Sequence, residues 1–322
     1  MSDESIKAQE AAARELHCWF DVDRVSKDDQ ATAWKREARL RQARWRVAAG
    51  YPIGSHPHRG SEKVPEPKPV GSRIDLQFAV DSGANFLTPA ARRAVVERLE
   101  NKEPHQTLDA DRLYADLLSS MPLCFNLFGD LAADAAAARR AVDAWWPDAP
   151  AGPVCVRFEH SPGRLDADFL NNRSAFDVAF EVGGGEQGRG IIGVETKYHE
   201  HAAREAEPSE ERMARYVEVT ERSNVFVPGW REKILGTELQ QLWLDHLLVL
   251  SMLQHPSSRW SWGRFVLVYP AENLSFAAAA QRYRSLLRDV STFEARTIEE
   301  LIVTPGAIAP SLAQAIAERY LG

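Results

Sequence analysis

Asp177, Glu195 and Lys197 are the residues of this chain best placed to do chemistry together. They lie in Ser174-Ala-Phe-Asp-Val-Ala-Phe-Glu181 and Gly190-Ile-Ile-Gly-Val-Glu-Thr-Lys-Tyr198. Val, Ile, Phe and Thr dominate both stretches and a glycine-rich segment separates them, so both read as β-strands. Side chains alternate faces along a strand, which puts Glu195 and Lys197 on one face. If the two strands pair as a hairpin, Asp177 reaches the same spot. Two carboxylates and an amine would then converge on a largely apolar sheet. Burying such charges is costly unless they pair or bind a cation. Two carboxylates at one point suit a hard divalent metal.

An acid followed by Glu-x-Lys on the next strand resembles the PD-(D/E)XK nuclease superfamily, the fold of many restriction endonucleases. Phe176 stands where the motif's proline would be. Four flanking stretches are similar to a bacterial nuclease-like subgroup: Leu123-Cys-Phe-Asn-Leu-Phe-Gly129, Glu195-Thr-Lys-Tyr-His-Glu200, Leu239-Gln-Gln-Leu-Trp243 and Phe265-Val-Leu-Val-Tyr-Pro270. The resemblance spans residues 75 to 303. It implies an α/β restriction-endonuclease-like core, αβββαβ, with a mixed central sheet flanked by helices; the residues before it read as a helical N-terminal extension. It implies a metal-dependent nuclease with Mg²⁺ or Mn²⁺ held by Asp177, Glu195 and the Thr196 carbonyl. Phosphodiester cleavage needs a cation to polarise the phosphoryl oxygen, and Mg²⁺ needs only one or two carboxylates because it keeps most of its waters. Lys197 would position the attacking water and stabilise developing charge.

The same resemblance points to the helix carrying Leu239 to Leu250, where a Gln or Lys reaches the metal-site water. Gln241 is the first choice and Gln240 its alternative. Either could instead be a buried amide satisfied within the core. Glu159 at the end of the preceding strand is a further candidate acid, with Asp111 and Asp116 as rivals on an earlier helix. Glu200 recurs in the subgroup as a support for Lys197 or a nearby arginine. Ser119, Ser120 and Asn126 could line the site, whereas Met121 stands where the subgroup has Gln. His199 and His201 form no zinc set, because H-x-H without a third fixed ligand is weak. The Gly183 to Gly190 stretch lacks the G-K-[ST] ending of a phosphate loop. It reads as a hairpin connection that could bring Arg189 to nucleic acid.

The elements that must position these residues are legible from periodicity and breakers. Helices are expected at Ala90–Glu100, Asp109–Phe128 with a kink near Pro122, Asp134–Trp145, Glu210–Arg222 and Thr237–Leu253. Strands are expected at Val154–Glu159, Ala175–Val182, Gly190–Tyr198 and Arg264–Tyr269. The tail reads as a helix at Phe276–Arg288, a short strand at Phe293–Thr297, and helices near Ile298 and over Pro310–Leu321. Residues 1–72 read as a helical arm and a Pro/Gly-rich linker, and 73–322 as the nuclease-like domain. In the arm, Lys35, Arg36, Arg39, Arg41, Arg44 and Arg46 are interleaved with Trp34 and Trp45. Arg39, Arg41 and Arg44 could lie along a phosphate backbone. The alternative is a solvated helix docking its tryptophans on the body.

The chain of 322 residues is 44% hydrophobic and 26% charged, ordinary for a soluble globular protein. No run approaches the ~18 apolar residues of a membrane span, and Met-Ser-Asp-Glu-Ser has no signal-peptide character. Cys18, Cys124 and Cys155 form neither a disulfide framework nor a zinc pattern. A cytoplasmic setting is expected. The net charge of -7 counts mildly against a dedicated nucleic-acid binder but does not exclude a local basic groove. The expected partner is nucleic acid, DNA rather than RNA, in a bacterial restriction or phage-defence setting, with a homodimer or a defence-system partner protein possible. The alternatives are a non-cleaving binding component with the same fold, or an RNA-directed nuclease.

Overall fold

The computed structural model describes residues 3–19, 32–55, 68–184 and 188–321. Two helices come first, α1 (Asp3–Glu15) and α2 (Ala33–Ala48), then a two-stranded antiparallel sheet of β1 (Ile53–Ser55) and β2 (Pro69–Ile74). Helices α3 (Leu76–Ser82), α4 (Pro89–Glu100), α5 (Ala110–Ala115), α6 (Ser120–Ala133) and α7 (Ala135–Trp145) follow. Strands β3 (Val154–His160), β4 (Phe176–Gly183) and β5 (Arg189–Thr196) lead to α8 (Glu210–Ser223), α9 (Trp230–Ile234) and α10 (Gln240–Leu253). The chain closes with β6 (Trp260–Tyr269), α11 (Leu274–Arg284), β7 (Phe293–Thr297), α12 (Ile298–Val303), α13 (Pro310–Ile316) and a π-helical turn at Ala317–Leu321.

The main sheet has the order β3-β4-β5-β6-β7. The first three strands form an antiparallel meander, and β6 and β7 add in parallel. A parallel neighbour needs a crossover, and α8 to α10 supply it between β5 and β6. They cover one face of the sheet, where Leu242, Trp243 and Leu247 pack with Ala179, Ile191, Phe265 and Leu267. On the other face α6 and α7 bring Leu127, Phe128 and Trp145 against Val178, Phe180, Val194 and Val266. Alternation along β5 thus sends Ile192 and Val194 into one core and Ile191 into the other. Glu195 and Lys197 follow Ile191 onto the α10 face.

Caps account for several boundaries. Thr88, Asp109 and Ser119 accept from the first-turn amides of α4, α5 and α6. The long helix expected at Asp109–Phe128 is therefore two helices. Its break falls at residues 116–119, not at Pro122, which sits in the first turn of α6 where its missing N–H costs nothing. The supposed linker also needs correction: residues 53–55 and 69–74 pair as β1 and β2. The boundary drawn between residues 72 and 73 falls inside β2, and Ala38 shares a core with Ile74 and Val194. His56 and His58 lie outside the described residues.

Helix α2 is a packing element. Arg39 is 0% exposed. Arg41 donates to the Tyr320 carbonyl at 3.0 Å and stacks over Trp34. Arg46 donates to the Gly71 and Tyr51 carbonyls. Gln42 reaches the Tyr198 hydroxyl and the Arg319 carbonyl, both at 2.9 Å. The phosphate-tracking arm is thus corrected for Arg39 and Arg41, whose guanidiniums are turned into the protein; Arg44 alone of the three is exposed. Replacing Arg39, Arg41 and Arg44 together with Gln is expected to lower stability by several kcal/mol, because truncating one partner of buried polar contacts strands the others. The salt slope of nucleic-acid binding should change by one unit at most, the share of Arg44. Thermal melts and a fluorescence-anisotropy salt titration check this; an unaltered melt with a slope flattened by three units would restore the arm as a phosphate contact.

Candidate active site

The register of the meander builds the site. Val178 pairs with Val194, so one step further places Asp177 opposite Glu195. Phe158 pairs with Val178 and His160 with Phe176, so Glu159 stands opposite Asp177. Three adjacent strands therefore carry an acid at the same level: Glu159, Asp177, Glu195. Asp177 enters near the start of β4 and Glu195 near the end of β5, and the antiparallel pairing brings both to one edge of the sheet.

Each side chain is held. Asp177 Oδ2 accepts from the Thr196 amide at 2.8 Å and the Thr196 hydroxyl at 2.6 Å, and its second oxygen has no hydrogen-bond partner among the described residues. Glu195 Oε1 accepts from Lys197 Nζ at 2.7 Å and from Gln241 Nε2 at 3.1 Å. Glu195 and Lys197 are each only 8% exposed, so the pair is protected from bulk solvent. Glu200 accepts from the Ser120 hydroxyl at 2.8 Å and the Tyr198 amide at 2.9 Å, tying α6 to the end of β5. Glu159 has φ +51°, and its carbonyl is gripped by Arg164 at 2.8 Å. A non-glycine residue in the left-handed region costs about 1–2 kcal/mol and persists where its surroundings hold it.

These groups line one cavity of roughly 420 Å³. Asp177, Glu195, Lys197 and Gln241 meet there with Glu159, Glu200, Ser120, Met121 and Asp245, and Arg112, Arg164, Arg173 and His105 stand around them. Sequence reasoning missed the arginines, because nothing local marks Arg112 on α5 or Arg164 and Arg173 in the loop before β4. It also passed over Asp245, although an acid on a helix apolar nearly all round was a signal, since a buried charge needs a reason.

Other expectations are corrected. Gln240 points away from the cavity, accepting from Gly236 N and donating to the Ala206 carbonyl, so it is the core amide and Gln241 faces the site. Asp111 and Asp116 pair with Arg73 and do not line the cavity. Asn126 is buried among Leu87, Asn85 and Tyr320. Arg189 opens β5, six residues from Glu195, which is about 20 Å along a strand. His201 lies beside Lys35 Nζ at 3.4 Å.

The electrostatics follow from burial and crowding of like charge. Burial and then Glu195 raise the Asp177 carboxyl to about 7. Burial and then Asp177 raise Glu159 to about 7. Burial opposes the charge on Lys197, but Glu195, Glu200 and Asp177 outweigh it and raise the ammonium above its ordinary value. Burial, with Glu195 next, raises Asp245 well above the carboxylate range.

Among the described residues no three His, Cys, Asp or Glu side chains come together tightly enough to hold one ion by themselves. The converging donors are carboxylate oxygens, which suit a hard cation that keeps waters, and Asp177 has a free oxygen to offer. The residues present fit Mg²⁺ or Mn²⁺ at Asp177 and Glu195. A cation there must displace the proton that Asp177 retains up to about 7. Below that pH proton and metal compete, so affinity should fall up to about tenfold per pH unit for each proton displaced, and should level off above it. Calorimetric Mg²⁺ titrations at pH 6 and pH 8 check the sign: tighter binding at pH 6 would contradict it.

The model of the PD-(D/E)XK nuclease superfamily matches residues 27–322. The chain belongs to that superfamily. The match covers nearly the whole chain, α2 included, in keeping with the packing of α2 on the body. No match was found among curated proteins or among solved structures. The five-stranded mixed sheet flanked by helices is the superfamily's restriction-endonuclease-like fold, and membership suggests a metal-dependent nuclease. No helix among the described residues is long and apolar enough to cross a membrane.

Proposed function

We propose that this protein is a divalent-metal-dependent nuclease that hydrolyses phosphodiester bonds of DNA, with Asp177, Glu195, Lys197 and Gln241 as its working residues. The observation that carries the reading is the set of contacts at one strand end: Lys197 and Gln241 both on Glu195, with Asp177 opposite. Asp177 and Glu195, with the Thr196 carbonyl, would hold Mg²⁺ or Mn²⁺. The bound cation would supply Lewis acidity at the phosphoryl group and lower the pKa of water.

The chain's own groups do the rest. Thr196 fixes Asp177 by two hydrogen bonds, so that carboxylate is pre-set. Gln241 fixes Glu195 and can orient a water by its amide. Lys197, kept charged by three acids, lies where an ammonium can follow the oxygens of a phosphate as charge grows on them. Arg173 is exposed at the cavity, and with Arg112 it offers the backbone phosphates a contact that α2 does not.

A complete Asp, Glu, Lys and Gln set favours cleavage over a binding component that keeps the fold. DNA as substrate, and a restriction or phage-defence setting, rest on the likeness to restriction endonucleases. The test is incubation of the purified protein with plasmid, linear duplex and RNA in Mg²⁺, Mn²⁺ and EDTA. Mg²⁺-dependent loss of duplex DNA is expected; cleavage of RNA alone would change the substrate, and cleavage surviving in EDTA would remove the metal.

A further inference from the structure

Helix α10 carries one acid, Asp245, in Gln240-Gln-Leu-Trp-Leu-Asp-His-Leu-Leu-Val-Leu-Ser-Met-Leu253. Every other buried polar group on this helix has partners. Gln240 is held by Gly236 and Ala206, His246 by Tyr283 and Thr292, and Ser251 by the Leu248 carbonyl. Asp245 differs. It is 9% exposed, and its Oδ2 is buried without a hydrogen-bond partner among the described residues. Asp245 lies four residues after Gln241, on the same helix face, and lines the same cavity as Asp177, Glu195 and Lys197. Lys197 Nζ donates to Glu195 and makes no hydrogen bond to Asp245 Oδ2. A buried carboxylate oxygen left orphaned beside other acids is destabilising in the resting protein. Such a group persists where something else supplies the missing donor.

Direct chelation is not the answer, since no three acids close on one point among the described residues. A cation with few protein ligands keeps its waters, and those waters are donors. We propose that Asp245 is a positioning residue of the cation site, accepting hydrogen bonds from waters that a divalent ion retains when bound at Asp177 and Glu195. This inference rests on the metal-dependent reading above. It assigns α10 two jobs one turn apart: Gln241 orients the ligand Glu195, and Asp245 orders the solvent shell beyond it.

The experiment needs no nucleic acid. Mn²⁺ is titrated calorimetrically into wild type, Asp245→Asn and Glu195→Gln, and each is melted in EDTA and in Mn²⁺. Asn keeps the shape of Asp245 but cannot ionise. Loss of a group that supports a metal from its outer shell typically weakens affinity 10- to 100-fold, and that is expected of Asp245→Asn. The same variant should melt higher than wild type in EDTA, because the buried unpaired acid is gone, and should gain less from Mn²⁺. Unchanged Mn²⁺ affinity in Asp245→Asn, with Glu195→Gln weakened, would overturn this inference alone. A lower melting temperature in EDTA with normal affinity would make Asp245 a structural residue. Wild type that takes up no Mn²⁺, or takes it up equally well as Glu195→Gln, would sink the metal site and this inference with it.

Discussion

Glu195→Gln is expected to abolish metal-dependent cleavage and leave the fold in place. The carboxylate gathers the site: it accepts from Lys197 and Gln241 and stands opposite Asp177. Gln retains an oxygen for Lys197 but no charge for a cation, so activity should drop to background while the melt changes little. Lys197→Ala should behave differently. One oriented group that stabilises developing charge is worth about 10²–10³ in rate, so kcat should fall by that factor with metal affinity reduced less. Lys197→Ala also leaves Glu195 buried without its cation in the metal-free protein, which is costly. Its melting temperature should therefore lie below that of wild type, and Mg²⁺ should raise it by no more than it raises that of wild type. Wild-type rates in either variant would move the active site elsewhere in the chain.

Truncation after Ile316 is expected to prevent folding. The last turn carries Arg319 and Tyr320, each 0% exposed. Arg319 donates to the Asn85 carbonyl at 2.7 Å and to the Asn85 side chain, and it stacks on Trp45. The Tyr320 hydroxyl accepts from Asn126 at 2.8 Å, and its carbonyl accepts from Arg41. Removing this turn empties the space of a buried Tyr, about 3–5 kcal/mol by analogy with large core truncations. It also takes one hydrogen-bond partner from each of Asn85, Asn126 and Gln42, at about 0.5–1.5 kcal/mol each. The sum is comparable with the lower part of the 5–15 kcal/mol of a whole domain. Tyr198, next to Lys197, packs edge-on against Tyr320 at 5.2 Å, so the loss would reach the end of the strand that carries Glu195. Circular dichroism and a thermal melt of the truncated chain give the answer, and a cooperative melt near that of wild type would show that the tail is dispensable.

What the amino-acid order determined was local. Period-2 runs of β-branched residues marked β3, β4 and β5. A helix apolar nearly all round marked α10, and Thr88-Pro89 marked the start of α4. Two-residue spacing placed Glu195 and Lys197 on one face before any pairing was known. These features depend on neighbours along the chain, so they are written in the chain. Family resemblance added Gln241 to the set; the hairpin register brings Asp177 opposite Glu195, and the packing of α10 brings Gln241 within 3.1 Å of it.

What tertiary structure decided was which polar groups face which environment. Helix α2 is strongly basic in sequence, and charge runs usually face water. Yet Arg39 is fully buried and Arg41 and Arg46 are turned onto backbone carbonyls, because the C-terminal turn and β2 pack against that side. Gln240 and Gln241 are identical in type and adjacent, and the 100° step of a helix separates a core amide from a site amide. Asp111 is chemically as able as Glu159 to serve the site; Arg73 claims the one, and a cross-strand register delivers the other to Asp177. Arg173 and Asp245 reach the cavity from segments far apart in sequence. Such neighbours are set by sheet register and helix packing over long separations, and no local pattern encodes them.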